Sequence, residues 1–165
     1  MLGIGVEPHL RWRAYCEQFA ALVARLKIRR VVLLGAYVAD VVYSRPVAVT
    51  GYATDERALE EIGVADSRYE GPTGIVGVLA ERLLADGVQI LSLWAGLPHY
   101  ISASPNPRGS LALVQKLSAG LPLTIDEGPL RREAAAFEQR ISDLVNADPE
   151  LAEYVRLLKK REFAQ

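Results

Sequence analysis

The chain has 165 residues, of which 50% are apolar and 24% are charged. This balance excludes a disordered protein, because the apolar surface is large enough to offset the loss of chain entropy on folding. Nineteen basic and twenty acidic residues give a formal net charge of −1, which excludes the basic excess typical of nucleic-acid-binding domains. The single cysteine excludes an internal disulfide, and the apolar runs are too short to span a bilayer.

Charged residues are concentrated at the end of the chain. Sixteen of the forty residues at 126–165 are Asp, Glu, Lys or Arg, compared with fifteen of the ninety-five at 31–125. We therefore predict one cytoplasmic α/β domain, 1–165, whose packed body is 1–125. A helical C-terminal appendage is predicted at 129–162. We expect neither a nucleic-acid nor a membrane partner.

The first part of the chain alternates predicted strands and helices. Residues 2–6 are apolar and are predicted to form a short buried strand. Apolar side chains at spacings of three and four predict a helix over 12–26. Residues 31–34 and 47–50 are apolar or β-branched runs bounded by turn residues, typical of strands that are covered on both faces. A short helix is predicted at 56–62.

The second part continues the same alternation. The pattern predicts a helix over 76–83, a strand over 88–94 and three further helices over 111–120, 130–144 and 151–158. Strands that alternate with helices imply a mainly parallel sheet with helices on both faces. We therefore predict a three-layer α/β/α sandwich, in which ligands would bind at the carboxyl ends of the strands.

Six residues in three loops form the predicted ligand or anion loop. In the segment 69–77, glycines would allow backbone N–H groups to approach an anion. The glycine spacing matches neither the dinucleotide nor the phosphate-loop pattern, so close packing of helix on sheet is the alternative. The predicted residues are Arg45, Gly71, Thr73, Gly74, His99 and Tyr100.

His99 follows the most regular predicted strand, where a histidine could act as a general base or contact a ligand. Neither a nucleophilic Ser or Cys nor an acid lies beside it in sequence, so hydrogen bonding that fixes the loop is the alternative. The other histidine, His9, is distant, and the pair has no metal-ligand spacing. We predict no catalytic residue, no metal and no cofactor.

The last predicted helix carries a narrow apolar stripe flanked by charges. Such a stripe could pack on the body of its own chain or contact a helix of a partner. The candidate interface residues are Leu151, Tyr154, Val155 and Leu158.

Three segments occur together in a characteristic order: GVEPHLRW at 5–12, SRPVAVTG at 44–51 and YEGPTGI at 69–75, followed by PHY at 98–100. Together they resemble the proteasome assembly chaperone family, in its bacterial and archaeal branch. The resemblance covers about 5–158, and none of its motifs is a catalytic signature.

The resemblance implies a nucleoside-phosphorylase-like sandwich and a non-enzymatic, protein-binding role. Eukaryotic and archaeal members of the family bind proteasome subunits or assembly intermediates and form oligomers, so we expect a homo-oligomer that contacts such partners. A small-ligand-binding protein or enzyme of the same fold, using the strand-end loops, is the alternative. Some members are labelled ATP-dependent carboxylate–amine ligases, but this chain shows no paired lysine and Mg²⁺-binding acids.

Two departures from the family pattern bear on these expectations. Members of this branch usually extend further at the N-terminus, so we expect this chain to be the C-terminal part of a longer pattern, with one sheet edge exposed. Some archaeal members dock on the proteasome through a C-terminal tail that consists of a hydrophobic residue, a tyrosine and one further residue of any type. The chain ends in EFAQ, so we do not expect docking by that route.

Overall fold

Strands and helices alternate along the chain in a computed structural model that describes residues 1–55, 57–67 and 74–163. The elements are α1 (Trp12–Arg25), β1 (Arg30–Ala39), β2 (Val49–Ala53), α2 (Arg57–Glu61), β3 (Ala65–Asp66), α3 (Ile75–Ala85), β4 (Gln89–Pro98), α4 (Pro107–Gly120), α5 (Gly128–Ala147) and α6 (Pro149–Phe163). Within these ranges, none of the helices is both long and apolar enough to span a membrane.

The strands form one mixed sheet in the order β1-β4-β2-β3. β1 pairs with β4 in parallel over its whole length, and β2 pairs with β3 in parallel, whereas β2 and β4 are antiparallel. Two of the three pairings are thus parallel, which confirms a mainly parallel sheet. The antiparallel pairing follows from the connection at 40–48, because a crossover between parallel strands needs about a dozen residues or more.

Helices cover both faces of the sheet and confirm the three-layer sandwich. The helices α1 and α3 pack on one face, where they meet Ile90 of β4, and α2 and α4 pack on the other, around Leu93. Successive side chains of a strand point to opposite faces, so β4 contributes to both cores. This explains why its sequence is almost continuously apolar.

The helices α5 and α6 enclose a third apolar cluster beside the sheet. It contains Val42, which lies just after β1, together with Phe137 and Ile141 of α5 and Val155 and Leu158 of α6. The predicted C-terminal appendage therefore lies at the carboxyl ends of β1 and β4, where the candidate site residues were predicted.

The prediction of a buried strand at residues 2–6 is wrong in this structure. The segment is irregular, and Leu2, Ile4 and Val6 are exposed. Apolar residues alone do not make a strand, because its backbone groups need a hydrogen-bonding neighbour. No strand of the described residues pairs with this segment.

β1 is longer than predicted because Gly35 lies within the strand and does not end it. A Cβ atom at Gly35 would lie 2.5 Å from a ring carbon of Trp94 on the neighbouring strand. The glycine therefore allows the indole of Trp94 to lie across β1. Beyond this point, β1 continues in register with β4 as far as Ala39 and Pro98.

Candidate functional site

The parallel register of β1 and β4 brings Asp40 and His99 together. The last paired residues are Ala39 and Pro98, so each of the two polar residues is the first to follow its strand. The backbone N–H of His99 donates to the carbonyl of Ala39 at 3.2 Å. Because carboxyl ends of parallel strands meet at one edge, the register alone places these side chains side by side.

Four polar residues meet at this edge, and we call them the strand-end cluster: Asp40, His99, Tyr100 and Tyr154. Nδ1 of His99 lies 3.0 Å from Oδ1 of Asp40, and the hydroxyl of Tyr154 lies 3.4 Å from Nε2 of the same ring. With its proton on Nδ1, the imidazole donates to Asp40 and leaves Nε2 as an acceptor for Tyr154, whose hydroxyl also lies 3.5 Å from Oδ1 of Asp40. The three rings contact one another edge to face, with centroids 5.4 to 5.6 Å apart.

Tyr100 holds the loop that follows β1 through hydrogen bonds of its hydroxyl group. Its hydroxyl donates to the carbonyl of Val41 at 3.0 Å and accepts from the backbone N–H of Tyr43 at 2.9 Å. Burial raises the pKa of the Tyr100 phenol. Partial burial, followed by the nearby charge of Asp40, raises the pKa of Tyr154. Both phenols therefore keep their protons at neutral pH, as hydrogen-bonding groups that hold segments together.

These contacts support the interpretation that His99 fixes its loop. The cluster also joins residues from both predicted sites, since Tyr154 belongs to the apolar stripe of α6 and His99 to the strand-end loop. A ligand role for His99 and Tyr100 stays a prediction.

Arg45 lines a cavity beside the third cluster. Its Nε is 3.1 Å from Oε2 of Glu162 on α6. Its carbonyl accepts from Nη2 of Arg108 at 2.6 Å, and Nε of Arg108 is 3.5 Å from Oε2 of Glu138 on α5. Two arginine–carboxylate pairs therefore line one opening, formed by the segment 40–48 and three helices.

The glycine-rich part of the predicted loop lies elsewhere. Gly71 and Thr73 lie outside the described residues, so their role stays a prediction. Gly74 precedes α3 beside Glu7, whose Oε2 would be 3.2 Å from a Cβ atom at Gly74. A carboxylate near a helix N-terminus is favoured by the helix dipole, so the chain places its own acid where an external anion was predicted.

The predicted interface stripe is turned toward the chain's own body. Val155 and Leu158 are each 3% exposed in the third cluster, and Leu151 and Tyr154 pack against it. A partner that reached these side chains would have to displace α6. The partner role of the stripe stays a prediction.

Arg108, Glu138 and Glu162 are residues of this region that sequence analysis missed. Arg108 had a usable signal, since it stands in the first turn of a helix that follows the loop after β4. Glu138 had none, because its position depends on how α5 packs. Across the described ranges, no group of three His, Cys, Asp or Glu side chains is arranged to hold a metal ion.

Comparisons with known proteins agree with this architecture. The chain is 39% identical to a proteasome-assembly chaperone homologue of Mycobacterium tuberculosis, with a TM-score of 0.79, over 92% of this chain and 64% of that one. A PAC2 family protein from Streptomyces avermitilis is 41% identical, with a TM-score of 0.80, over 92% and 63%. PbaA of Pyrococcus furiosus, an archaeal homologue of proteasome-assembly chaperone, shares the fold at 21% identity, with a TM-score of 0.67, over 86% and 63%.

The chain thus spans less than two thirds of the length of these three relatives. A search of curated proteins finds no match. The model of the PAC2 family matches residues 1–145, which include all the motifs that carried the resemblance. The chain therefore belongs to the PAC2 family.

Proposed function

We propose that the chain is a non-enzymatic, protein-binding member of its family that contacts proteasome subunits or their assembly intermediates in the cytoplasm. The proposal is supported by the likeness to a relative described as a proteasome-assembly chaperone homologue. The observation that carries it is the apolar outer edge of β1, which no strand of the described residues covers. The same edge supports the proposed homo-oligomer.

β1 pairs with β4 on one side only, and no strand of the described residues pairs with its other side. Leu34 is 43% exposed and Val38 is 72% exposed, so the open edge also presents apolar side chains. An open edge offers unpaired N–H and C=O groups to another chain. A partner that adds a strand there would gain main-chain hydrogen bonds and would cover these two side chains.

The proposal is tested by mixing the protein with purified proteasome α-subunits of the same organism. Light scattering after size exclusion measures both the complex and the oligomeric state of the protein alone. We expect a complex with the wild type and at least a tenfold loss of affinity in the double variant Leu34→Lys, Val38→Lys, which should also be monomeric. The charges oppose strand addition but sit on exposed positions, so circular dichroism should be unchanged.

The matched control is Leu144→Lys, which adds a charge at an exposed leucine of α5 and should bind like the wild type. If the wild type forms no complex with any α-subunit, the proteasome link is wrong. If the double variant binds and assembles as the wild type does, the link survives but β1 is not the contact surface.

A further inference from the structure

The cavity beside Arg45 has a volume of about 190 Å³ and has no part in the partner binding proposed above. It opens at the carboxyl end of β4, between the segment 40–48, the start of α4, and the helices α5 and α6. In α/β sheets, ligands bind at this end of the strands.

The interior of the cavity is apolar. Its walls include Val42, Leu97, Pro98, Ile101, Phe137 and Ile141. Three of these side chains, Val42, Phe137 and Ile141, are buried members of the third cluster, so the wall is part of a packed core and is rigid. An apolar cavity of roughly 150 Å³ accommodates benzene. The space here therefore suits a phenyl ring or a branched chain of four or five carbons.

The mouth of the cavity is polar. Arg45 and Arg108 both line it, and the two carboxylates paired with them, Glu162 and Glu138, line it as well. The side chain of Arg108 is only 14% exposed, so water screens its charge less than it screens the charge of a fully exposed arginine. A guanidinium presents several N–H donors in a fork that matches a carboxylate.

We propose that this cavity binds a small carboxylate with an aromatic or branched apolar group. The apolar group fills the cavity, and the carboxylate contacts Arg108 and Arg45 at the mouth. There it competes with Glu162, the carboxylate that pairs with Arg45 from the end of α6. Such a carboxylate exists either as a free acid or as the C-terminal residue of a peptide.

The test uses 3-phenylpropanoate and its amide, 3-phenylpropanamide, in calorimetric titrations of the full chain. The two probes have the same apolar group and nearly the same shape, so their difference reports the charge. We expect the acid to bind at least tenfold more tightly than the amide. Equal affinities, or no binding of the acid at about 10 mM, would overturn the proposal.

Three variants locate the site. Arg108→Gln should weaken binding of the acid at least tenfold and leave binding of the amide unchanged. Arg82→Gln changes an arginine of α3 that pairs with Asp86, and it should change neither affinity. Because Arg108→Gln leaves Glu138 without its partner and could unfold, Glu162→Gln provides the second measurement. It removes the competing carboxylate and should tighten binding of the acid at least threefold. If Glu162→Gln leaves the affinity for the acid unchanged, the ligand carboxylate does not compete with Glu162 and the proposed binding site is wrong.

A peptide arm separates the two sources of the carboxylate. A tetrapeptide that ends in Phe is titrated with a free and with an amidated C-terminus. Tighter binding of the free-ended peptide identifies a peptide terminus as a ligand. Binding of 3-phenylpropanoate without binding of either peptide identifies a free acid, and failure of all the acids overturns the proposal without affecting the proteasome test.

Discussion

Tyr100 connects the end of β4 with the loop after β1 through one hydroxyl group. Tyr100→Phe removes both hydrogen bonds of that hydroxyl and leaves the Val41 carbonyl and the Tyr43 N–H without this partner. We expect the free energy of unfolding to fall by about 1–3 kcal/mol, measured by urea denaturation. Tyr52→Phe is the control, since this ring is exposed on β2, and it should change the free energy by less than about 0.5 kcal/mol.

The Tyr100 phenol should also make the folding stability depend on pH. Burial raises the pKa of Tyr100 above its ordinary value of 10.0, so the folded state retains a proton that the unfolded state loses. Its contribution to stability is present below pH 10 and is lost as pH rises through the folded pKa. We expect stability to fall above pH 10 and to fall less steeply in Tyr100→Phe. Equal slopes in the two proteins would contradict this account.

For single residues, the sequence predicts where a side chain lies in the fold better than it predicts which side chain it contacts. His99 and Tyr100 could be placed at a strand end because the apolar run before them is regular. Asp40 becomes the partner of His99 only through the register of β1 on β4. The pairing of Arg108 with Glu138 depends on the angle between α4 and α5, which no local pattern encodes.

Among the elements, α6 allows a close comparison, because it carries two adjacent leucines in different environments. Leu158 is 3% exposed in the third cluster, whereas Leu157 is 45% exposed. Leu158→Ala should lower the free energy of unfolding of α6 by about 2–5 kcal/mol, and Leu157→Ala should change it much less. Hydrogen exchange of the α6 amides measures both variants. Similar losses would mean that α6 is not held by its apolar stripe.

Element types follow from the sequence more readily than element directions. The helices follow from their periodicity, and the strands β1, β2 and β4 follow from apolar or β-branched runs. β1 extends past Gly35, where the missing Cβ leaves room for the indole of Trp94. The direction of β2 follows from a connection too short for a parallel crossover. The strand expected at residues 2–6 is absent because apolar sequence does not supply a pairing partner.

For the whole molecule, the three apolar clusters are not equivalent. Two of them meet across the sheet and share β4, whereas the third lies between Val42, α5 and α6. Disruption of β4 should therefore affect both faces of the sheet, and disruption of the third cluster should remain local. Cooperative units within one protein can open separately.

Leu93 and Leu34 test this division, because they are register partners on β4 and β1. Leu93 is 0% exposed and lies in the centre of the sheet, whereas Leu34 is on the open edge. Leu93→Ala should cost about 2–5 kcal/mol in denaturant unfolding and should lower hydrogen-exchange protection in all four strands. Leu34→Ala should cost much less, and Leu158→Ala should lower protection only in α5 and α6. If Leu158→Ala lowered protection in the sheet as much as Leu93→Ala does, the sandwich and its C-terminal helices would have to be one cooperative unit.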